Sequence, residues 1–209
     1  MFVPGVSRPI DARFGRCLLF LALLLIGGAN SAAAARFSTV IIDPGHGGKD
    51  KGAYWGGVRE SHLNMKVALK LEGLLKRRGI RTVMTRRSDV FVSLGSRAAI
   101  ANRYRSAVLV SIHFNAHTNT RIKGAETFYW GSTGRMIAGA IQRRLPARVK
   151  VINRGIHKKG YTLLMQTNCP AVLVECGFIS NSRERMRCST QWYQETAARS
   201  IYDALMACR

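Results

Sequence analysis

Ala107-Val108-Leu109-Val110-Ser111-Ile112 contains five apolar residues in six and no polar–apolar alternation. A short, continuous apolar run of this kind reads as a strand buried on both faces, as in a parallel sheet covered by helices. Its neighbours fit that reading. Phe37–Ile42 is apolar and β-branched and ends in the breaker Asp43-Pro44-Gly45. Leu63–Leu75 has apolar residues at helical spacing, with Gly79 as a stop, and Ile80–Met84 reads as a short strand. Ser93 caps a helix running to about Tyr104. Beyond the buried run, Gly124–Trp130 reads as a strand and Thr133–Leu145 as a helix. Residues 146–161 read as a basic loop, Ala171–Val174 as a strand and Thr190–Ala207 as a closing helix. Strands alternating with helices imply an α/β single domain: a mostly parallel, mixed sheet with helices on both faces.

Composition sets the setting. The 209 residues hold 33 Lys+Arg against 11 Asp+Glu, a formal net charge of +22, which favours an anionic partner. Residues 1–35 have the three parts of a secretory signal peptide: a start with Arg8, Arg13 and Arg16, the apolar run Cys17–Ile26, and an exit rich in alanine. The run is too short for the roughly 20 residues of a membrane-spanning helix. Export of residues 36–209 to the periplasm or cell envelope is expected, leaving 30 basic and 10 acidic residues. Nucleic acid is then not an expected partner. Anionic wall polymer or lipid headgroups are, through Arg143, Arg144, Arg148, Lys150, Arg154, Lys158 and Lys159. Four cysteines remain after export: Cys169, Cys176, Cys188 and Cys208. Pairing Cys169 with Cys176 and Cys188 with Cys208 is excluded, because an extended strand and a continuous helix hold those partners more than about 7 Å apart. Two bridges between the strand region and the helix ends, or four free thiols, are both compatible.

Four polar residues occupy telling places. His46 follows the first strand, Glu60 ends a glycine-rich loop and opens the first long helix, and His113 and Glu175 each directly follow a buried strand. Ligands of open α/β sheets bind outside the carboxyl ends of the strands, and neighbouring strands lie about 4.8 Å apart, so these side chains can converge. Two imidazoles and a carboxylate form the His₂Glu set of catalytic zinc, with the remaining carboxylate free to act as a base. Spacing leaves both glutamates eligible as ligand. The glycines at 47, 48, 52, 56 and 57 would let Glu60 fold back beside His46, while Glu175 on a rigid strand end suits proton transfer. A zinc carboxypeptidase also uses His₂Glu, but with its first two ligands close together on one turn. A basic wall-binding module without activity is the non-enzymatic alternative.

Val40–Gly48, Glu60-Ser-His-Leu-Asn64, Ser111-Ile-His-Phe-Asn-Ala116 and Pro170–Asn181 together resemble the zinc-dependent N-acetylmuramoyl-L-alanine amidases of the amidase-3 family, over about residues 38–207. The resemblance implies cleavage of the amide between the muramic acid lactyl group and L-alanine in peptidoglycan. It implies zinc (Zn2+) held by His46, Glu60 and His113, with Glu175 as catalytic acid/base, and it places Glu126 in the cleft. Cys176 and Cys188 stand where relatives favour other residues, and no separate wall-binding domain is expected. Relatives that need activator proteins carry a long insertion after the strand beyond His113, whose helix plugs the zinc. Here only Gly131-Ser132 separates Trp130 from Thr133, and residues 146–161 contain no carboxylate. Activity without an activator protein is therefore expected.

Overall fold

The computed structural model describes residues 37–209, so the signal-peptide reading of residues 1–35 lies outside the described residues. A six-stranded sheet is built from β1 (Thr39–Pro44), β4 (Arg81–Met84), β5 (Ala107–Asn115), β6 (Ala125–Trp130), β7 (Asn153–Lys158) and β8 (Ala171–Phe178) in the order β4-β1-β5-β8-β6-β7. The first four strands across are parallel. β6 runs antiparallel to β8, and β7 is parallel to β6. A small antiparallel pair, β2 (Tyr54–Trp55) and β3 (Val58–Arg59), folds the glycine-rich loop back before α1 (Glu60–Arg77).

Side chains alternate between the two faces of the sheet. Val40, Ile42, Val108, Val110, Val172 and Val174 face the main core, with Leu63, Val67 and Leu71 of α1, Ile137, Ile141 and Leu145 of α3 (Gly131–Val149), and Ala197, Ile201 and Leu205 of α6 (Gln191–Cys208). Ile41, Leu109, Phe128 and Leu173 face a smaller core with Ala98 and Ala101 of α2 (Leu94–Asn102) and Leu163 and Leu164 of α4 (Thr162–Gln166). Both faces are covered, as the apolar strands required.

Several sequence expectations change. Residues 146–161 are not a loop: α3 runs on through Pro146 to Val149, and residues 153–158 form the edge strand β7. Proline inside a helix strips one backbone bond from the carbonyl four residues earlier. That carbonyl, of Gln142, accepts from Asn153 Nδ2 at 3.4 Å. The charged residues that read as loop are those that suit an edge strand, where they oppose pairing with other chains. No linker separates β6 from α3, because Gly131, at φ +76°, turns the chain directly from strand to helix. α4 and α5 (Ser182–Cys188) were missed as short helices. β5 and β8 run on to Asn115 and Phe178, past Ile112 and Val174 where their apolar runs end, so His113 and Glu175 lie within strands. All four cysteines among the described residues are free and buried.

Candidate metal and hydrolytic site

The site is assembled at the carboxyl ends of β1 and β5 and in the middle of β8. At the end of β1 the chain leaves through Gly45 into His46, whose φ of +60° is left-handed and uncommon outside glycine. Two buried arginines hold it there. Arg97 donates to the His46 and Pro44 carbonyls at 2.7 and 2.8 Å and pairs with Asp43 at 2.7 Å. Arg86 donates to the Pro44 and Gly45 carbonyls at 2.9 Å each and to the Ser61 carbonyl at 2.9 Å. Burial pushes the Asp43 carboxyl up, but the Arg97 charge and bonds from Ser111, Thr85 and Arg97 outweigh it and hold Asp43 below its ordinary pKa. Neither arginine was singled out from sequence, since a buried, paired guanidinium looks like any surface arginine there.

His46 Nδ1 meets Asp50 Oδ2 at 2.8 Å, which leaves Nε2 facing Glu60 Oε1 at 3.2 Å. Glu60, first residue of α1, accepts from Ala53 N–H on Oε2 at 2.9 Å, while Oε1 lies 2.8 Å from His113 Nδ1. One donor atom from each of His46, Glu60 and His113 therefore lies within 4.8 Å of the others. Burial lowers the His46 pKa, but Glu60 and Asp50 outweigh it and raise it to about 9. Burial raises that of Glu60, and the two imidazoles more than reverse it, leaving the carboxyl ionised. Two glycines make room: a Cβ on Gly45 would fall 2.2 Å from the His113 ring, and one on Gly52 would fall 2.6 Å from both Glu60 Oε2 and the His46 ring.

His113 and Glu175 are register partners across β5 and β8, and Glu175 and Glu126 are partners across β8 and β6. The three side chains form one row on the α2/α4 side of the sheet. Glu126 is committed to neighbours: Asn115 Nδ2 at 2.8 Å, Arg154 Nε at 3.3 Å and His157 Nε2 at 3.6 Å. Glu175 is different. It is 9% exposed, and its Oε2 is buried with no hydrogen-bond partner among the described residues. Burial first, then the charges of Glu60 and Glu126, push its pKa well above the ordinary carboxylate value, with Lys159 opposing. His46, His113 and Glu175 line a cleft of about 610 Å³, whose walls carry Phe91 and Leu94 on one side and Tyr161 and Leu163 on the other. Of the other histidines, His62 pairs with Asp89 at 3.4 Å on the surface, and His117 accepts from Asn119 N–H.

Residues 40–207 match the family described as N-acetylmuramoyl-L-alanine amidase. Among curated proteins, the uncharacterized protein YqiI of Bacillus subtilis is 33% identical over 88% of this chain and 91% of its own length. The N-acetylmuramoyl-L-alanine amidase LytC of B. subtilis is 31% identical over 81% of this chain, which spans only 35% of LytC. Among solved structures, an N-acetylmuramoyl-L-alanine amidase of Clostridium difficile 630 superposes with a TM-score of 0.78 at 36% identity, covering 82% of this chain and 96% of that one. The CwlD amidase of Clostridioides difficile, in complex with the GerS lipoprotein, gives 0.78 at 31% identity, over 81% of this chain and 97% of that one.

Proposed function

The chain belongs to the N-acetylmuramoyl-L-alanine amidase family, and we propose that it hydrolyses the amide joining the lactyl group of N-acetylmuramic acid to the L-alanine of the stem peptide in peptidoglycan. The observation that carries this reading is the unpartnered, buried carboxylate of Glu175 beside the cluster of His46, Glu60 and His113. Zinc is the ion these donors suit: two neutral imidazole nitrogens and a carboxylate oxygen leave a position open for water or substrate. The glycines at 45 and 52 leave room for the His113 ring and for Glu60 and the His46 ring, and Asp50 orients His46 from behind, as partners of metal-binding imidazoles do. Bound zinc would polarise the scissile carbonyl and lower the pKa of the attacking water to about 7.

The chain's own work is proton transfer. Glu175 takes the proton from the attacking water and hands it to the departing nitrogen, so that the L-alanine leaves as a neutral amine. A carboxyl of raised pKa suits both halves, since it binds the proton firmly enough to deliver it near neutral pH. The row geometry puts Glu175 one strand from His113, the spacing of adjacent groups around one reacting carbonyl. We read residues 1–35 as the export signal that brings this activity to the cell envelope. We also expect turnover without an activator protein: β6 passes straight into α3, so no inserted segment follows it to cover the cleft.

Mass spectrometry of digested peptidoglycan tests the bond. New free L-alanine N-termini are expected. Shortened stem peptides would mean a peptidase, and unchanged material a binding module.

A further inference from the structure

Asn64 stands one turn after Glu60 on α1, fully buried, with its side-chain amide only half satisfied. Nδ2 donates to the Gly45 carbonyl at 3.1 Å and to Glu60 Oε1 at 3.3 Å, whereas Oδ1 is buried with no hydrogen-bond partner among the described residues. Turning the amide over would not rescue Oδ1, because that oxygen would then face a carbonyl and a carboxylate, which only accept. A buried acceptor without a donor costs stability. The fold does not need Nδ2 to satisfy its two acceptors. The Gly45 carbonyl also accepts from Arg86 at 2.9 Å, and Glu60 Oε1 also accepts from Phe114 N–H at 3.3 Å. The orientation of Asn64 therefore serves the site and not the packing of α1.

Apart from the two imidazoles, Asn64 is the only side chain bonded to Glu60 among the described residues, with Ala53 and Phe114 supplying backbone N–H. An imidazole nitrogen that ligates a metal must be free of its proton, and its lone pair is then taken. Ligation therefore removes the His46 and His113 bonds from Oε1 and leaves that oxygen to Asn64 and Phe114 N–H. The same Nδ2 grips Gly45, which leads directly into His46 and against which the His113 ring packs. One amide thus ties Glu60 to the turn on which both imidazoles depend. We propose that Asn64 is a positioning residue that holds Glu60 Oε1 in place for the metal, with no net gain in fold stability. This rests on the metal-site reading of His46, Glu60 and His113, and it adds the side chain that keeps the carboxylate aligned.

The test pairs Asn64→Ala with Asn64→Val: both remove the amide, the first leaving space and the second filling most of it. Thermal unfolding of the metal-free chain reads the fold, and competition with a chromogenic chelator reads zinc affinity. Both variants should unfold within about 4 °C of the wild type, the shift that one net hydrogen bond makes in a domain of this size. Both should bind zinc about 10–100-fold more weakly, the range for lost supports of metal ligands. A folded variant with wild-type zinc affinity overturns the role of Asn64. So do metal-free variants that both unfold far below the wild type, and so does an affinity lost only in the variant whose unfolding temperature drops, since either marks a merely structural amide. Wild-type protein that binds no zinc sinks the metal-site reading and the inference with it.

Discussion

Glu175 is a carboxylate whose environment gives it little but water and a proton to bind: it is buried, without a hydrogen-bond partner for Oε2, and pressed by two other carboxylates. Glu175→Gln keeps the shape and removes proton transfer. Peptide release should fall by about 10²–10⁴-fold, the usual contribution of general acid–base catalysis, with zinc content by elemental analysis unchanged. Near wild-type turnover would remove Glu175 from the mechanism. His46 gives a second test. Its pKa of about 9 means that the metal-free protein holds it as imidazolium at neutral pH. A ligand must be deprotonated, so zinc has to displace that proton. Zinc affinity should climb as pH rises toward about 9 and then level off, and calorimetry in buffers of different ionisation enthalpy should record proton release near pH 7. Affinity flat from pH 6 to 9 would argue against His46 as a ligand. These residues were legible in the sequence because each stands beside an apolar strand or a glycine loop, where a polar side chain needs a reason. Arg86, Arg97 and Asp50 were not legible, because their work is to satisfy carbonyls and orient a ring that only the folded chain brings near.

The elements that carry the site are fixed by close backbone approach. β1 and β5 are parallel neighbours, and the His113 ring fills the space where a side chain on Gly45 would lie. Gly45→Ala should therefore displace His113 while leaving the buried strands intact. Zinc affinity should weaken by about 10–100-fold, the range seen when the supports of metal ligands are lost, with little change in far-ultraviolet circular dichroism. Unaltered zinc affinity would mean that the His113 position does not depend on this contact. The central strands and long helices were readable because their apolar spacing is dictated by burial. The outer ones were not. β7 is polar and glycine-containing because it is an edge, and it exists only through pairing with β6. α4 spans five residues and α5 seven, too few for a periodic pattern to stand out.

Over the whole molecule, charge and access matter most. The basic residues read from sequence as one cluster are spread over α3 (Arg143, Arg144, Arg148), its C-cap Lys150, β7 (Arg154, Lys158) and Lys159 just beyond it, and two of them are spent internally: Arg148 on Asp203 at 2.5 Å and Arg154 on Glu126 at 3.3 Å. The remaining cations are those that the proposed attachment to anionic wall polymer or lipid headgroups would use, through interactions that salt screens within about 8 Å at physiological strength. The cleft lies between α2 and α4, with His46, His113 and Glu175 in its lining, and β6 passes into α3 without an inserted segment. Metal dependence and autonomy can therefore be read in one measurement: peptide release from isolated sacculi by the purified chain lacking residues 1–35, with no other protein present. Zinc-loaded protein should release peptides with L-alanine N-termini, stop when a chelator is added, and resume when zinc is restored. Release that ignores the chelator, or none at all until a second protein is supplied, would contradict the account.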